Sequence, residues 1–478
     1  MNTRVDPRLS FPVILAIAVS MMFAAALVSF PIIRAGMIVL CLFCFAILAS
    51  IDTRKIFSIF LVWTLLSGGL SQLLFARVGD SLKYVDSVFI VILLLKLFSA
   101  FVDGYRFDGN CRKIITLAAL FVFWASFSAL INGSSLLGLL FFVNSYVKFF
   151  VIFIAAFVFL DRTDFDGLIG LMLACGVLQL MVAGVQLLTY GRGNLFVGGE
   201  INLWQDAACG TFGHYGAHKL GHFSLIMLMV SFSAWFFTSA KRWLFWALLF
   251  TCVFFITFTE QDYVPFAFFF IFSIFCSRQI RASIRIFTAA MLISIFGIIL
   301  LAGFNPAARY FDLLSRSGNA AESGKAQNYL TSARILAAQP ANLMIGIGPG
   351  GYSSGAAFKV KGDYYVKYIE SKYRKIKSTM DYLWATATSV MVETGIVGYS
   401  LYAAAYLIIL FNCFTLFFGR GPAIDNYGRA IIYSELFVLG FMLYLSLLSN
   451  IIEWISFVYP AAIISAFAFK IGRPASYG

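Results

Sequence analysis

Charge is scarce in this 478-residue sequence: only 12% of the residues are Asp, Glu, Lys or Arg, whereas 61% are hydrophobic. A soluble domain has about 25% charged residues, so the composition excludes a soluble enzyme or binding module. Prolines number only ten, and no apolar run alternates with polar residues as a membrane barrel strand does. The sequence therefore predicts an all-α, polytopic integral membrane protein.

Apolar runs long enough to cross about 30 Å of hydrocarbon recur along the whole chain. We expect a single membrane domain over residues 1–478, with about 14 transmembrane helices. The long segment 305–385 is inserted between the eleventh and twelfth of them. The fourteen runs are 11–30, 32–50, 56–76, 84–102, 114–132, 136–160, 166–190, 220–238, 243–259, 262–277, 284–304, 386–411, 428–449 and 451–470.

Histidine and cysteine are also sparse. Most of the eight cysteines lie within or at the ends of apolar runs, which argues against a disulfide framework. The three histidines, His214, His218 and His222, are four residues apart, a spacing that a metal site on a helix would use. Only Asp206 and Cys209 lie near them as further ligands. We therefore expect no metal, and histidines that serve an interface or a catalytic cleft.

Lysine and arginine are distributed unevenly between the loops. With the N-terminus inside, the cytoplasmic loops carry most of them, and the opposite short loops carry little beyond Arg77, Lys83, Arg192 and Lys219. The positive-inside rule then places both termini in the cytoplasm and segment 305–385 outside.

Segment 305–385 has eleven basic and five acidic residues, a net charge of 11 − 5 = +6. This charge suits anionic lipid headgroups, surface polysaccharide or a phosphorylated substrate. Nucleic acid is excluded because the segment faces away from the cytoplasm. Within it, residues 364–384 predict an amphipathic helix on the outer leaflet, with packing against the rest of the segment as the alternative.

The stretch SARILAAQPANLMIGIGPGGYSSG combines a fixed positive charge with a flexible loop. Arg334 is predicted to lie on a short helix that Pro340 ends. The loop with Gly346, Gly348 and Gly350 offers backbone N–H groups to an anion, and a guanidinium pairs with phosphate oxygens. The combination predicts a site for a lipid-linked phosphate or diphosphate.

Ionisable residues within apolar runs are candidates for function, because charge is costly inside a membrane. Several lie in the predicted outer halves of their spans or at an outer turn, which predicts a polar cavity that opens outward. They are Arg34, Asp86, Lys148, Glu393, Glu453, Glu260 and Asp262.

Several of these motifs also resemble a known family. The spacing of Arg334, Pro340 and Gly346-x-Gly348, followed by VETGIVGYSLY and preceded by GTFGHYGAHKLG, resembles the bacterial O-antigen polymerase and O-antigen ligase superfamily, mainly over residues 200–415. The resemblance implies a metal-independent glycosyltransferase without cofactors. It would use undecaprenyl-diphosphate-linked glycans at the periplasmic face of the inner membrane, with Arg334 on the diphosphate.

Two departures from the family pattern favour a polymerase. Ligases typically carry a histidine nine residues before the Glu of the E-x-G segment, where this chain has Trp384 before Glu393. The family also often has an arginine where this chain reads TEQDY, residues 259–263. The ligase, which moves glycan onto lipid A-core, is the alternative. A flippase or exporter of lipid-linked oligosaccharide is the alternative from another class.

The predicted reaction transfers a growing glycan from undecaprenyl diphosphate to a sugar hydroxyl of an incoming lipid-linked repeat unit. It needs cations on the leaving diphosphate and a base for the hydroxyl. The partners are this lipid-linked oligosaccharide, membrane lipids and a chain-length regulator protein. The predicted catalytic residues are Arg334, Asp381, Glu393, His214 and His218, and the predicted substrate ligands are Arg309, Arg316, Gly346, Gly348, Gly350, Arg192 and Lys219.

Overall fold

The fold was obtained as a computed structural model. It describes residues 50–73, 85–105, 107–190, 195–197, 200–202, 208–213, 216–257, 259, 262–276, 325–370, 385–419 and 424–471. Within these residues the chain is helical, as the composition predicts, apart from turns and a short antiparallel hairpin of two three-residue strands.

The helices follow the predicted apolar runs closely. Long apolar stretches form helices because all backbone hydrogen bonds are then made within the segment. In chain order the elements are α1 (Thr53–Leu73), α2 (Val85–Val102), α3 (Gly109–Ile131), α4 (Leu136–Phe159), α5 (Arg162–Tyr190), β1 (Leu195–Val197), β2 (Glu200–Asn202), α6 (Ala217–Thr238), α7 (Lys241–Ile256), α8 (Tyr263–Cys276), α9 (Lys325–Ala337), α10 (Pro340–Ile345), α11 (Gly355–Val360), a π-helical turn (Tyr365–Glu370), α12 (Thr386–Phe418), α13 (Asn426–Leu448), a 3₁₀ turn (Ile451–Glu453) and α14 (Ile455–Ile471).

Seven of the described helices are long and apolar enough to cross a membrane: α2, α3, α4, α5, α6, α12 and α13. Many of their large apolar side chains are exposed, as expected for a surface in contact with lipid; examples are Phe98, Phe123 and Phe411. The chain is thus a multi-pass membrane protein. The runs 11–30, 32–50 and 284–304 lie outside the described residues, so the count of fourteen spans stays a prediction.

The centre of the bundle is formed by α6 and α14, whose side chains are buried along almost their whole length. A helix that is apolar on every side is stable only when other helices surround it. Accordingly, α6 packs against α7, α13 and α14, and α14 also packs against α4.

One end of the bundle is held by ion pairs. Arg54 contacts Asp161 at 3.4 Å and Asp164 at 3.3 Å, and Arg162 contacts Asp425 at 2.5 Å. These contacts join the starts of α1, α5 and α13, which the charge distribution predicts to lie on one side of the membrane. We call this the ion-pair end.

Residues 325–370 lie at the other end, which we call the loop end. They rest on the starts or ends of several long helices: Asn132, just after α3, donates from Nδ2 to the carbonyl of Gly346 at 3.2 Å. Tyr329 of α9 donates to the carbonyl of Leu447 at the end of α13. The segment is therefore packed onto the bundle rather than separate from it.

Two local expectations change. Pro340 does not simply end a helix: α9 ends at Ala337, and Pro340 begins α10, where its missing N–H costs nothing. Tyr365, at the start of the predicted amphipathic helix 364–384, is fully buried in a small core with Tyr352, in agreement with the alternative of packing within the segment. Residues 371–384 of the predicted amphipathic helix lie outside the described residues.

The orientation of the two ends can be tested by cysteine labelling. Ala338 at the loop end and Lys113 at the start of α3 are both exposed. If the positive-inside rule holds, Ala338→Cys should react with an impermeant maleimide in intact cells, and Lys113→Cys should react only after lysis. The unsubstituted protein gives the background from native cysteines. Labelling of Lys113→Cys before lysis would reverse the orientation.

Candidate functional site

The VETG sequence contains a break in helix α12. Gly395 has φ = 70° and ψ = −179°, so the helical hydrogen bonds are interrupted there. The carbonyls of Val392 and Glu393 accept from the N–H groups of Ile347 and Gly348, at 3.0 and 3.1 Å. The break therefore gives the glycine loop a strand-like partner in the middle of a helix.

Two glycines allow this approach. A Cβ atom on Gly395 would lie 2.2 Å from the carbonyl oxygen of Met344, and one on Gly346 would lie 2.5 Å from the carbonyl carbon of Glu393. Both residues also have positive φ angles, which L side chains rarely adopt. The E-x-G and G-x-G motifs are thus the two sides of one backbone contact.

The carboxylate of Glu393 holds the rest of the loop. The side chain is fully buried, and its two oxygens accept five hydrogen bonds. The donors are the N–H groups of Gly350 (2.6 Å), Tyr352 (3.1 Å), Ser353 (3.1 Å) and Ser354 (3.0 Å) and the hydroxyl of Ser354 (2.9 Å). A carboxylate engaged in this way is a positioning group, because its lone pairs are already used.

The glycine loop wraps the carboxyl group of the chain's own Glu393, whereas the sequence predicts that it holds the phosphate of a ligand. Each backbone N–H between positions 346 and 351 donates to an acceptor of the protein, and Pro349 has none to offer. The prediction that Gly346, Gly348 and Gly350 hold a phosphate therefore finds no unused N–H group in this loop. The acceptors are, in order, the carbonyls of Asn342, Val392 and Glu393, the Glu393 carboxylate and the carbonyl of Gly348.

Arg334 lies on α9, with its side chain exposed at the loop end. Its neighbours Ile335 and Leu336 are buried in the small core with Tyr352 and Val392, which fixes the helix on the glycine loop. In the part of the chain that the structure describes, no carboxylate forms an ion pair with Arg334. The guanidinium is therefore positioned by its helix and available to an anionic ligand.

A second group of charges lies among the long helices at the loop end. Lys148, in the middle of α4, is 7% exposed and donates from Nζ to the carbonyl of Glu453. Glu453, Asp86, Lys359 and Lys219 lie near enough to Lys148 for their charges to act on it. We call these five ionisable residues, from α2, α4, α6, α11 and the 3₁₀ turn, the charged cluster.

Glu453 is the acidic centre of the charged cluster. The N–H of Gly355 donates to its Oε1 at 2.7 Å, and the Tyr146 hydroxyl donates to the same atom at 3.3 Å. Within the described residues Oε2 makes no hydrogen bond, and the side chain is half-buried. This carboxylate is fixed through one oxygen and open through the other. The 3₁₀ turn that carries it replaces the first residues of the span predicted at 451–470.

The charged cluster agrees with the predicted polar cavity in part. Asp86, Lys148 and Glu453 come together, and Asp86 accepts a hydrogen bond from Trp63 Nε1 at 3.0 Å. Lys219, predicted as a substrate ligand, joins them. Sequence reasoning did not select Lys359 or Tyr146; no short motif marks them, because the fold brings them to the cluster from separate elements.

One member of the histidine stripe is part of the core of the bundle. His222, which was not selected, is fully buried, and its Nδ1 lies 2.7 Å from Oδ2 of the equally buried Asp262. The Trp454 ring stacks on it at 5.6 Å. His218 is half-buried, one helical turn away. Its place next to Lys219 is compatible with the predicted cleft.

The remaining predicted site residues lie outside the described residues: Arg192, His214, Arg309, Arg316 and Asp381. Within the described residues no group of three His, Cys, Asp or Glu side chains is arranged to hold a metal ion.

Comparisons with protein-family models, with curated protein sequences and with solved structures give no match. The function is therefore argued from the two charged features of the loop end, Arg334 and the charged cluster.

Proposed function

We propose that this protein is a repeat-unit polymerase: a glycosyltransferase that moves a growing glycan from undecaprenyl diphosphate to a sugar hydroxyl of an incoming lipid-linked unit. The observation that carries the proposal is the charged cluster. Its lysine Lys148 is 7% exposed in the middle of a helix long enough to span the membrane. Charge in that position is costly, and such groups mark substrate sites by default.

The cluster supplies the two groups that the reaction needs. The cations of Lys148, Lys219 and Lys359 neutralise the diphosphate as the bond from the anomeric carbon to its oxygen breaks. The open oxygen of Glu453 takes the proton from the acceptor hydroxyl, whose oxygen forms the new bond to that carbon. Undecaprenyl diphosphate leaves with the bonding electrons, so atoms and charge balance without a cofactor.

Arg334 adds a planar donor for the same diphosphate. Tyr329, on the same helix, contacts the carbonyl of Leu447, six residues before Glu453 in the chain, so α9 lies over the connection that carries the proposed base. Arg309 and Arg316 stay as predicted further ligands. Glu393 takes part through the position of the loop and not as a base.

The distribution of charge favours an enzyme over a flippase. A flippase must present its charged site to both sides of the membrane in turn. At the ion-pair end two arginines are paired with carboxylates, Arg54 with Asp164 and Arg162 with Asp425. At the loop end, the charged cluster instead brings Lys148, Lys219 and Lys359 near two carboxylates. The polymerase is preferred to the ligase on the sequence alone, because Trp384 replaces the ligase histidine.

The proposal predicts that purified protein, given only the lipid-linked repeat unit of its host, produces a ladder of chain lengths. The ladder should persist in EDTA, because lysine and arginine rather than a metal meet the diphosphate. Gel separation of the products after lipid release is the measurement, with heat-inactivated protein as the control. If the protein transfers glycan only when lipid A-core is added, and makes a single transfer to each acceptor, it is a ligase.

A further inference from the structure

A polar cleft of about 360 Å³ lies beside the glycine loop. Its walls are the turn between α3 and α4, the loop itself and the residues that follow α11. The walls are fixed to each other: Asn132 donates to the Gly346 carbonyl at 3.2 Å, and a Cβ on Gly362 would lie 2.2 Å from the Gly350 carbonyl oxygen. The cleft is therefore part of the fold, and its volume lies within the range of ligand pockets.

The chemistry of the lining differs from that of the charged cluster. Asn132, Ser134 and Gln339 contribute uncharged hydrogen-bonding groups, and Lys361 and Asp363 contribute one charge of each sign. A diphosphate requires an excess of cations, and an acyl chain requires an apolar surface. This lining offers neither.

The lining does match a sugar. Sugar hydroxyls both donate and accept hydrogen bonds, and the amide of Gln339, the hydroxyl of Ser134 and the carboxylate of Asp363 together provide both functions. None of these three side chains has a hydrogen-bond partner within the described residues, whereas the backbone N–H groups of the neighbouring glycine loop are engaged. Tyr364 adds an aromatic ring at the same wall, suited to the C–H face of a pyranose.

Helix α11 connects the cleft to the proposed reaction centre. Its first residue, Gly355, donates to Glu453, and its last residue, Val360, lines the cleft. Six residues at 1.5 Å each span about 9 Å. A sugar in the cleft would therefore lie closer to the proposed base, Glu453, than the length of a short oligosaccharide.

We propose that the cleft is a subsite for a neutral sugar residue of the glycan, separate from the site for its diphosphate. The inference rests on the proposed function for the source of the sugar.

The test uses the full protein in lipid nanodiscs and two probes. One is the free oligosaccharide released by mild acid from the host's own lipid-linked pool, and the other is inorganic pyrophosphate. We expect Gln339→Ala and Asp363→Ala each to weaken oligosaccharide binding about tenfold, the effect of one lost hydrogen bond, with pyrophosphate binding unchanged. Both residues are exposed, so the variants should fold. Saturation-transfer NMR and calorimetry are the measurements.

Two further variants complete the design. Lys148→Met should weaken pyrophosphate binding only, and Lys367→Ala, an exposed cation off the cleft, should change neither. The subsite proposal is overturned if the wild-type protein does not bind the oligosaccharide, or if the two cleft variants bind it as tightly as the wild type does. It is also overturned if the cleft variants no longer bind pyrophosphate. If the oligosaccharide binds at the cleft but the protein makes no product ladder, the proposed polymerase function is rejected and the sugar subsite is retained.

Discussion

Replacing Glu393 by alanine should release the glycine loop from helix α12. The substitution removes the acceptor for four buried N–H groups and one hydroxyl. Each unsatisfied donor costs about 1–3 kcal/mol, so the four N–H groups alone cost the closed loop at least about 4 kcal/mol. The loop is a local structural unit whose stability is too small to compensate for that loss, so the loop opens. Hydrogen exchange over residues 346–354, measured by mass spectrometry, should rise by about three orders of magnitude.

Two companion variants separate this effect from a general loss of packing. Glu393→Gln keeps one acceptor oxygen and should open the loop less. Ile396→Ala removes an apolar side chain that is 43% exposed on the same helix, and it should leave exchange in the loop unchanged. If exchange in Glu393→Ala matches that of the wild type, the carboxylate does not hold the loop, and the site must be reconsidered.

The helices of the bundle were predictable from the sequence because their cause is local. An apolar run about as long as the bilayer is thick has one stable conformation, and α2, predicted at 84–102, is found at Val85–Val102. The position of a charged residue within its apolar run also shows in which half of the membrane it lies. That is why Asp86, Lys148 and Glu453 could be assigned to one polar region.

The contacts of the loop end could not be predicted in the same way, since their causes are far apart in the chain. Glycines at 346, 348 and 350 indicate a loop that can wrap an anion. Which anion it wraps depends on Glu393, some forty positions later, and on the break at Gly395 that turns its carbonyl towards the loop. Tertiary packing likewise brings Tyr146 to Glu453 and Lys359 near Lys148.

Replacing Glu453 by glutamine should slow glycan transfer about 10²- to 10⁴-fold, the usual contribution of a positioned general base. Glutamine has nearly the same shape and keeps an oxygen for the Gly355 N–H and the Tyr146 hydroxyl, so the 3₁₀ turn should stay in place. It cannot take a proton from the acceptor. The measurement is the initial rate of chain extension with saturating lipid-linked repeat unit, at matched protein concentration. Pyrophosphate binding should be unchanged, because the lysines of the charged cluster remain.

Arg334 provides the comparison that distinguishes proton transfer from charge stabilisation. Arg334→Ala should slow extension about 10²- to 10³-fold, because a donor aimed at the developing charge of the diphosphate is lost. Arg334→Lys should recover part of the rate, since it keeps the charge without the planar fork. No conservative substitution should rescue Glu453 except aspartate, whose carboxylate lies one methylene short. The control is Asp103→Asn, which removes an exposed carboxylate at the ion-pair end. This variant should extend chains at the wild-type rate. Wild-type rates from Glu453→Gln would exclude it as the base and return that role to His218, the remaining described candidate.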